Sequence, residues 1–298
     1  MKINKGQFRL TSRSKNFKFE LNRGNGHLIN YLKNRISWHF NPRLQRVPKF
    51  PSHIDIETSS ICNLNCPMCY TTTDKFKEKV DAGLIDFDLF KKIIDESVKY
   101  ELYSIRLSLR GEAFLHPKIY DMIKYAKESG IKEVSSLTHG GHINEEKFER
   151  LMDLGLDWLT ISFDGIGEMY EKIRHPLKFD DAVKKIKNYQ ELKNKRGVVK
   201  PVIKVQTVWP AISNNPEEFY NSIKNQIQSE SFLILDGHIQ YFLDSQKEGL
   251  NWKDYDKAVV LAEKGDNSLH DKFKNYMSSK NITNPQDNLS EEVKILFS

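Results

Sequence analysis

Ile54-Asp55-Ile56-Glu57 is followed, four residues later, by Cys62-Asn63-Leu64-Asn65-Cys66-Pro67-Met68-Cys69. The first run reads as a short β-strand. The second is a loop holding every cysteine of the 298-residue chain. Soft thiolates select zinc, copper(I) or iron–sulfur clusters. A structural zinc site wants four ligands, usually as two separated pairs. Here there is one C-x2-C pair and no histidine in the same loop. A four-cysteine electron-transfer cluster needs one cysteine more than the chain has. Asn63, Asn65 and Pro67 make a loop rather than an apolar element, which argues against inert buried cysteines. The reading left is a four-iron cluster held by Cys62, Cys66 and Cys69. Its fourth iron would be open and therefore reactive.

Outward from this loop, short β-rich runs alternate with amphipathic helices. Asp86 can cap a helix with Phe87, Phe90, Ile93, Ile94 and Val98 on one face. Ser104 to Leu109 alternates as a strand. Pro117 and Gly130 bracket a helix with Ile119, Met122, Ile123 and Ala126 inward. Strands follow at 133–138, 158–163, 202–208 and 231–235. The helices between them are opened by Asn144 and Pro216 or closed by Gly155 and Gly197. Strands separated by helices of 10–15 residues indicate parallel βαβ units. Six such units without a Gly-rich dinucleotide fingerprint predict an α/β fold, a partial (β/α)6 TIM-like barrel. In such folds ligands gather at the C-terminal ends of the strands. The cysteine loop follows the first strand directly and so belongs to that end.

Several further segments at strand ends accompany the cysteines. C-x3-C-x2-C after a first barrel strand resembles the radical S-adenosylmethionine (SAM) superfamily, in which the residue before the third cysteine, here Met68, packs on the adenine. Arg110-Gly111-Glu112-Ala113 resembles the family's G-G-E-P segment, which binds the SAM amino group. Arg110 stands for its first Gly and Ala113 for its Pro, so a different loop backbone is expected. Thr138-His139-Gly140 resembles T-N-G. Ile161-Ser162-Phe163-Asp164-Gly165 resembles I-S-x-D-G, and Tyr170-Glu171-Lys172-Ile173-Arg174 resembles Y-x-x-I-R. The resemblance implies a [4Fe–4S] cluster and SAM as cofactors, with Met68, Gly111, Glu112, Ser162 and Arg174 as SAM-binding residues. It implies reductive SAM cleavage and hydrogen abstraction from a substrate, and a flavodoxin or ferredoxin as electron donor. Read without it, Arg174 is a surface partner of Glu168 or Glu171, and Asp164 is a turn or helix cap. Residues 231–242 faintly resemble part of the SPASM extension found in relatives, yet no cysteine remains for auxiliary clusters.

This reading divides the chain into a basic N-terminal arm (1–50), a core (51–237) and a polar C-terminal extension (238–298), helical or partly disordered. Residues 1–50 carry 12 Lys/Arg and one acid, Glu20, leaving −5 for the rest of a chain whose total is +6. Such an arm fits a phosphate-rich partner, with nucleic acid as one candidate, or a solvated extension whose Phe8, Phe17 and Phe19 pack on the body. No 18-residue apolar run spans a membrane, and the N-terminus lacks a secretory h-region. Three crowded thiols favour a reducing cytoplasm. The substrate reads as a peptide, a sugar-nucleotide or another small polar molecule. Its contacts are sought among His139, His142, Gln206, Trp209 and His238. Two alternatives stay open: a nucleic-acid-modifying radical enzyme and a non-enzymatic metal-binding module.

Overall fold

The computed structural model describes residues 13–208, 211–212, 216–227 and 231–235. Phe8, Trp209, His238 and the extension 238–298 lie outside the described residues. The elements run α1 (Arg13–Gly24), α2 (Leu28–Arg43), β1 (His53–Asp55), α3 (Asp74–Lys79), α4 (Phe87–Lys99), β2 (Ser104–Arg106) and α5 (Ile119–Glu128). They continue with β3 (Glu133–Thr138), α6 (Glu145–Asp153), β4 (Trp158–Ser162), α7 (Glu168–Ile173), α8 (Phe179–Arg196), β5 (Val202–Val208), α9 (Pro216–Ile227) and β6 (Ser231–Leu235).

All six strands are parallel, and each pairs with its neighbour in sequence. The order never reverses, so there is no switch point of the doubly wound kind. The edges β1 and β6 do not pair with each other. The sheet is therefore an open, barrel-like array, as the alternation predicts. Both strand faces are buried, as parallel sheets require: Ile105, Val134, Leu159, Val202 and Ile203 have no exposed surface.

The helices start and stop where local chemistry demands. The Asp86 carboxylate accepts from the amides of Asp88 and Leu89, both at 2.9 Å, and caps α4. That helix buries Phe90 and Ile94, whereas Val98 lies toward solvent. Asn144 caps α6 by accepting from the Lys147 amide at 2.9 Å. Gly197 ends α8 in the left-handed conformation, φ +63°, which a residue with Cβ rarely adopts. α6 and α8 meet through the stacked rings of Phe148 and Tyr189, 4.2 Å apart.

Two helices form within the basic N-terminal segment, and α1 lies against β5 and β6. Phe19 is buried, while Phe17 is exposed. Arg23 donates from Nε and Nη2 to the Glu133 carboxylate, at 3.1 and 2.8 Å. Its guanidinium also lies 4.3 Å from the Trp158 ring centre. Glu133 and Trp158 are the first residues of β3 and β4, so α1 covers the N-terminal ends of the strands. α2 meets the same end: Tyr31 packs beside Tyr103, just before β2, and Trp38 edges onto His53, the first residue of β1.

Candidate functional site

At the other end of the strands the cysteine loop is anchored from both sides. The Ser60 amide and hydroxyl bond to the Gly83 backbone, and the Glu112 amide donates to the Ile61 carbonyl at 2.8 Å. Gly111 makes the second anchor possible. It has φ +60°, and a Cβ there would stand 2.4 Å from the Ser59 carbonyl oxygen and 2.7 Å from that of Ile61. The segment before Cys62 thus rests on a glycine that no other residue can replace without moving it. Arg110 needs no positive φ, so its place in a glycine position is not strained. Its guanidinium grips Glu57, with Nε at 2.6 Å, and ties the end of β2 to the end of β1.

Each thiol has a polar group facing it. The Leu64 amide points to Cys62 Sγ at 3.4 Å, and Thr71 Oγ1 lies 2.9 Å from Cys69 Sγ. Arg174 Nη1 lies 3.6 Å from Cys66 Sγ. Cys66 is buried, and Cys62 and Cys69 are half-buried. Burial pushes the Cys62 and Cys66 thiols up; Arg174 partly opposes this at Cys66. No three described His, Cys, Asp or Glu side chains lie close enough to share one metal ion.

Glu112, at the end of β2, is 2% exposed. Its carboxylate accepts from Thr138 Oγ1 at 2.7 Å, from the His139 amide at 3.0 Å and from the Phe114 amide at 3.1 Å. Burial pushes its pKa up, and these bonds oppose that. His139 adjoins it, with Nε2 3.3 Å from the carboxylate. His139 Nδ1 accepts from the Gly141 amide at 3.0 Å, so Nε2 carries the hydrogen of the neutral ring. That hydrogen points to Asn63 Oδ1 at 3.0 Å, and His142 Nε2 reaches the same oxygen at 3.0 Å. Burial, with the nearby His142 and Arg174, lowers the His139 pKa to about 3.

Arg174 pairs with neither Glu168 nor Glu171; the Glu171 carboxylate is taken by Lys178 and the Phe179 amide. Its partner is Asp164, which accepts from Arg174 Nε at 2.6 Å and also pairs with Nη2. Asp164 has no exposed surface and accepts from the Val208 amide at 2.8 Å and Thr207 Oγ1 at 3.2 Å. It is not a cap but a tie between the ends of β4 and β5 that aims Arg174 at the cysteine loop. Ser162 is nearly buried at the end of β4, and its hydroxyl bonds to no described residue. Gln206 lies opposite it in register on β5 and is half-buried. Met68 is 39% exposed on the cysteine loop.

The sequence profile of the radical SAM superfamily matches residues 56–211, more than half of the chain. The chain belongs to the radical SAM superfamily. It is an enzyme of that class, whose chemistry rests on a [4Fe–4S] cluster and SAM. It is 31% identical over 159 residues to the tungsten-containing aldehyde ferredoxin oxidoreductase cofactor-modifying protein of Pyrococcus furiosus, covering 52% of this chain and 43% of that one. It is 30% identical over 131 residues to the Fe-coproporphyrin III synthase of Methanosarcina barkeri, covering 44% and 32%. The matched region thus spans less than half the length of either relative. Among solved structures, Streptococcus suis SuiB bound to SAM aligns with a TM-score of 0.47 at 17% identity, covering 67% of this chain and 42% of that one. Within the described residues no helix is long and apolar enough to cross a membrane.

The radical SAM reading accounts for the convergence of Cys62, Cys66, Glu112, His139, Asp164 and Arg174 on one end of the sheet. The part of Asn63 was not visible in the sequence, because an asparagine between cysteines reads as loop. That of Asp164 was visible only as an Asp-Gly pair after a strand.

Proposed function

We propose that Cys62, Cys66 and Cys69 hold the cluster, and that Glu112, Ser162 and Arg174 bind SAM, aided by Met68 and the Gly111 turn. When bound, cluster and SAM supply a reductive cleavage that yields a 5′-deoxyadenosyl radical able to take a hydrogen atom from a substrate. The observation that carries this assignment is Arg174. Its guanidinium is largely shielded from solvent, one face is spent on Asp164, and Nη1 reaches the sulfur of Cys66. A guanidinium fixed there can take a carboxylate beside the cluster. The buried Glu112 carboxylate suits an ammonium group, which would satisfy it as its present donors do. The Ser162 hydroxyl is available for a ribose or carboxylate oxygen.

The polar rim of Asn63, His142 and Gln206 supports a peptide, sugar-nucleotide or other small polar substrate rather than an apolar one. A flavodoxin or ferredoxin would supply the electron, and three free thiols suit a reducing compartment such as the cytoplasm. Nucleic acid held by residues 1–50 has less support, since α1 and α2 sit at the strand end remote from the cysteine loop. The test is anaerobic reconstitution with iron and sulfide, then dithionite and SAM. The expected result is 5′-deoxyadenosine from the wild type and none above background from Cys66→Ala. Equal, background yields would overturn the assignment.

A further inference from the structure

Helix α2 turns an apolar row away from the protein. Its buried side is Tyr31, only 2% exposed, whose hydroxyl donates to Glu20. At 100° per residue, Ile29, Ile36 and Phe40 project from the opposite side, with Leu32 beside them. They are 71%, 57%, 50% and 51% exposed. No described residue covers this row. Helix faces turned to water are ordinarily polar, and the apolar stripe ordinarily faces the core. Among the described residues the pattern is inverted, and the row asks for an apolar partner.

The charge around the row is one-sided. Residues 24–54 contain five Lys/Arg and no Asp or Glu; Arg23 just before them is buried and paired with Glu133. Lys33 and Arg43 flank the row on α2 itself, and both are exposed. An occupant must therefore present negative charge at its surface and an apolar layer just beneath it. Nucleic acid offers the charge but would leave four large apolar side chains in water. A second copy of the same face would set like charges against each other. An electron donor gains nothing here, because α2 lies at the starts of the strands and the cysteines follow the end of β1. An anionic bilayer meets both demands: aliphatic and aromatic side chains enter the headgroup–acyl boundary while cations stay among the phosphates.

We propose that α2 docks the protein on an anionic lipid surface, with Ile29, Leu32, Ile36 and Phe40 inserted and Lys33 and Arg43 at the headgroups. The helix lies in the plane of the surface and does not span it. The strand ends that carry the candidate site then face away from the lipid, open to a water-borne substrate and reductant.

Flotation of the full chain with vesicles tests this. Phosphatidylcholine vesicles are compared with phosphatidylcholine–phosphatidylglycerol vesicles, at low and high salt. The wild type is expected to float with the anionic vesicles, and raised salt is expected to release it. Lys33→Gln with Arg43→Gln should weaken partitioning about 25-fold, at roughly fivefold per cation. Ile29→Ser, Ile36→Ser and Phe40→Ser together should abolish it. All three positions are exposed, so the unfolding midpoint should not fall. If the triple variant misfolds, Ile29→Ser alone carries the test, with a loss of about tenfold expected. The proposal is overturned by no flotation with either vesicle, by equal flotation with both, or by flotation that the apolar substitutions leave unchanged. It is also overturned if the apolar substitutions instead dissolve a dimer, or if duplex DNA is bound in a way they do not alter.

Discussion

Each end of the sheet buries an arginine–carboxylate pair, but the two pairs are built differently. At the starts of the strands Arg23 spends two donors on Glu133 and lays its plane on Trp158. Nearby, the buried Asp157 is held between Lys127 and Lys200, both at 2.7 Å, and the Val134 amide. The charged side chains there are paired within the protein, although the Tyr103 hydroxyl and the Trp158 indole N–H are buried with no hydrogen-bond partner among the described residues. At the ends of the strands Arg174 spends one face on Asp164 and turns the other to a cysteine sulfur. Close by, the Ser162 hydroxyl bonds to no described residue. The same residue chemistry closes one end and leaves the other able to receive a ligand. A buried pair is thus evidence of function only when some of its valence is unspent.

The contrast predicts that stability and activity separate by end. Arg23→Ala strands the Glu133 carboxylate, which is 2% exposed, and should cost about 3–5 kcal/mol of unfolding free energy. Denaturant titration measures it. The folded fraction should still cleave SAM at the wild-type rate. Arg23→Met with Glu133→Leu should recover most of the loss, because a well-packed apolar pair avoids desolvating two charges. A fall in the specific activity of folded Arg23→Ala would show that the two ends are not independent.

Arg174→Ala should do the reverse. Asp164 keeps the Val208 amide and Thr207 hydroxyl as donors, so the stability cost should be smaller, about 1–3 kcal/mol. SAM cleavage should fall about 10²-fold, with SAM affinity falling in parallel, as expected for loss of a bidentate charged contact. Arg174→Lys should restore little, since an ammonium cannot hold Asp164 and a second carboxylate in one plane. Unaltered SAM affinity in Arg174→Ala would make this arginine a purely structural tie. Gly111→Ala should sit between the two ends in character. The strained φ should cost about 1–3 kcal/mol, and the displaced Ser59–Ile61 backbone should lower the iron bound per chain on reconstitution.

The barrel was legible because it is written in repetition. Each apolar run of four to seven residues, each Asp or Asn cap and each terminal Gly points to the same βα unit, and the six strands fall within a few residues of expectation. The cysteines, Glu112 and Ser162 were legible because they follow strand ends. The helices of the N-terminal segment were not. Basic residues dominate α1, and the burial of Arg23 depends on Glu133 and Trp158, more than a hundred residues away. The protein partner of Arg174 was not legible for the same reason. Glu168 and Glu171 are near in sequence, but Arg174 reaches instead Asp164, which follows β4 and is tied to the end of β5.

The finest distinction between the ends concerns protons. At the starts of the strands the buried Asp157 lies between two lysines. His139, beside the site, is held neutral, with its pKa lowered to about 3 from an ordinary value near 6.5. A lowered pKa means that the unfolded chain binds the proton first. The stability from neutral His139 is therefore complete above about pH 6.5 and is lost as the pH falls toward the folded value, by at most about 1.4 kcal/mol per pH unit. Glu112, whose pKa is raised by burial, acts in the opposite sense at the low end of that window. A comparison of wild type with His139→Asn cancels most of the other titrations. The stability difference between them should shrink by about 1 kcal/mol between pH 6 and pH 5, read from denaturant midpoints at each pH. A difference that stays constant over that range would mean that the folded ring is already protonated. In that case Nδ1 could not accept from Gly141, and the ring would face Glu112 as a charge rather than direct a single hydrogen to Asn63.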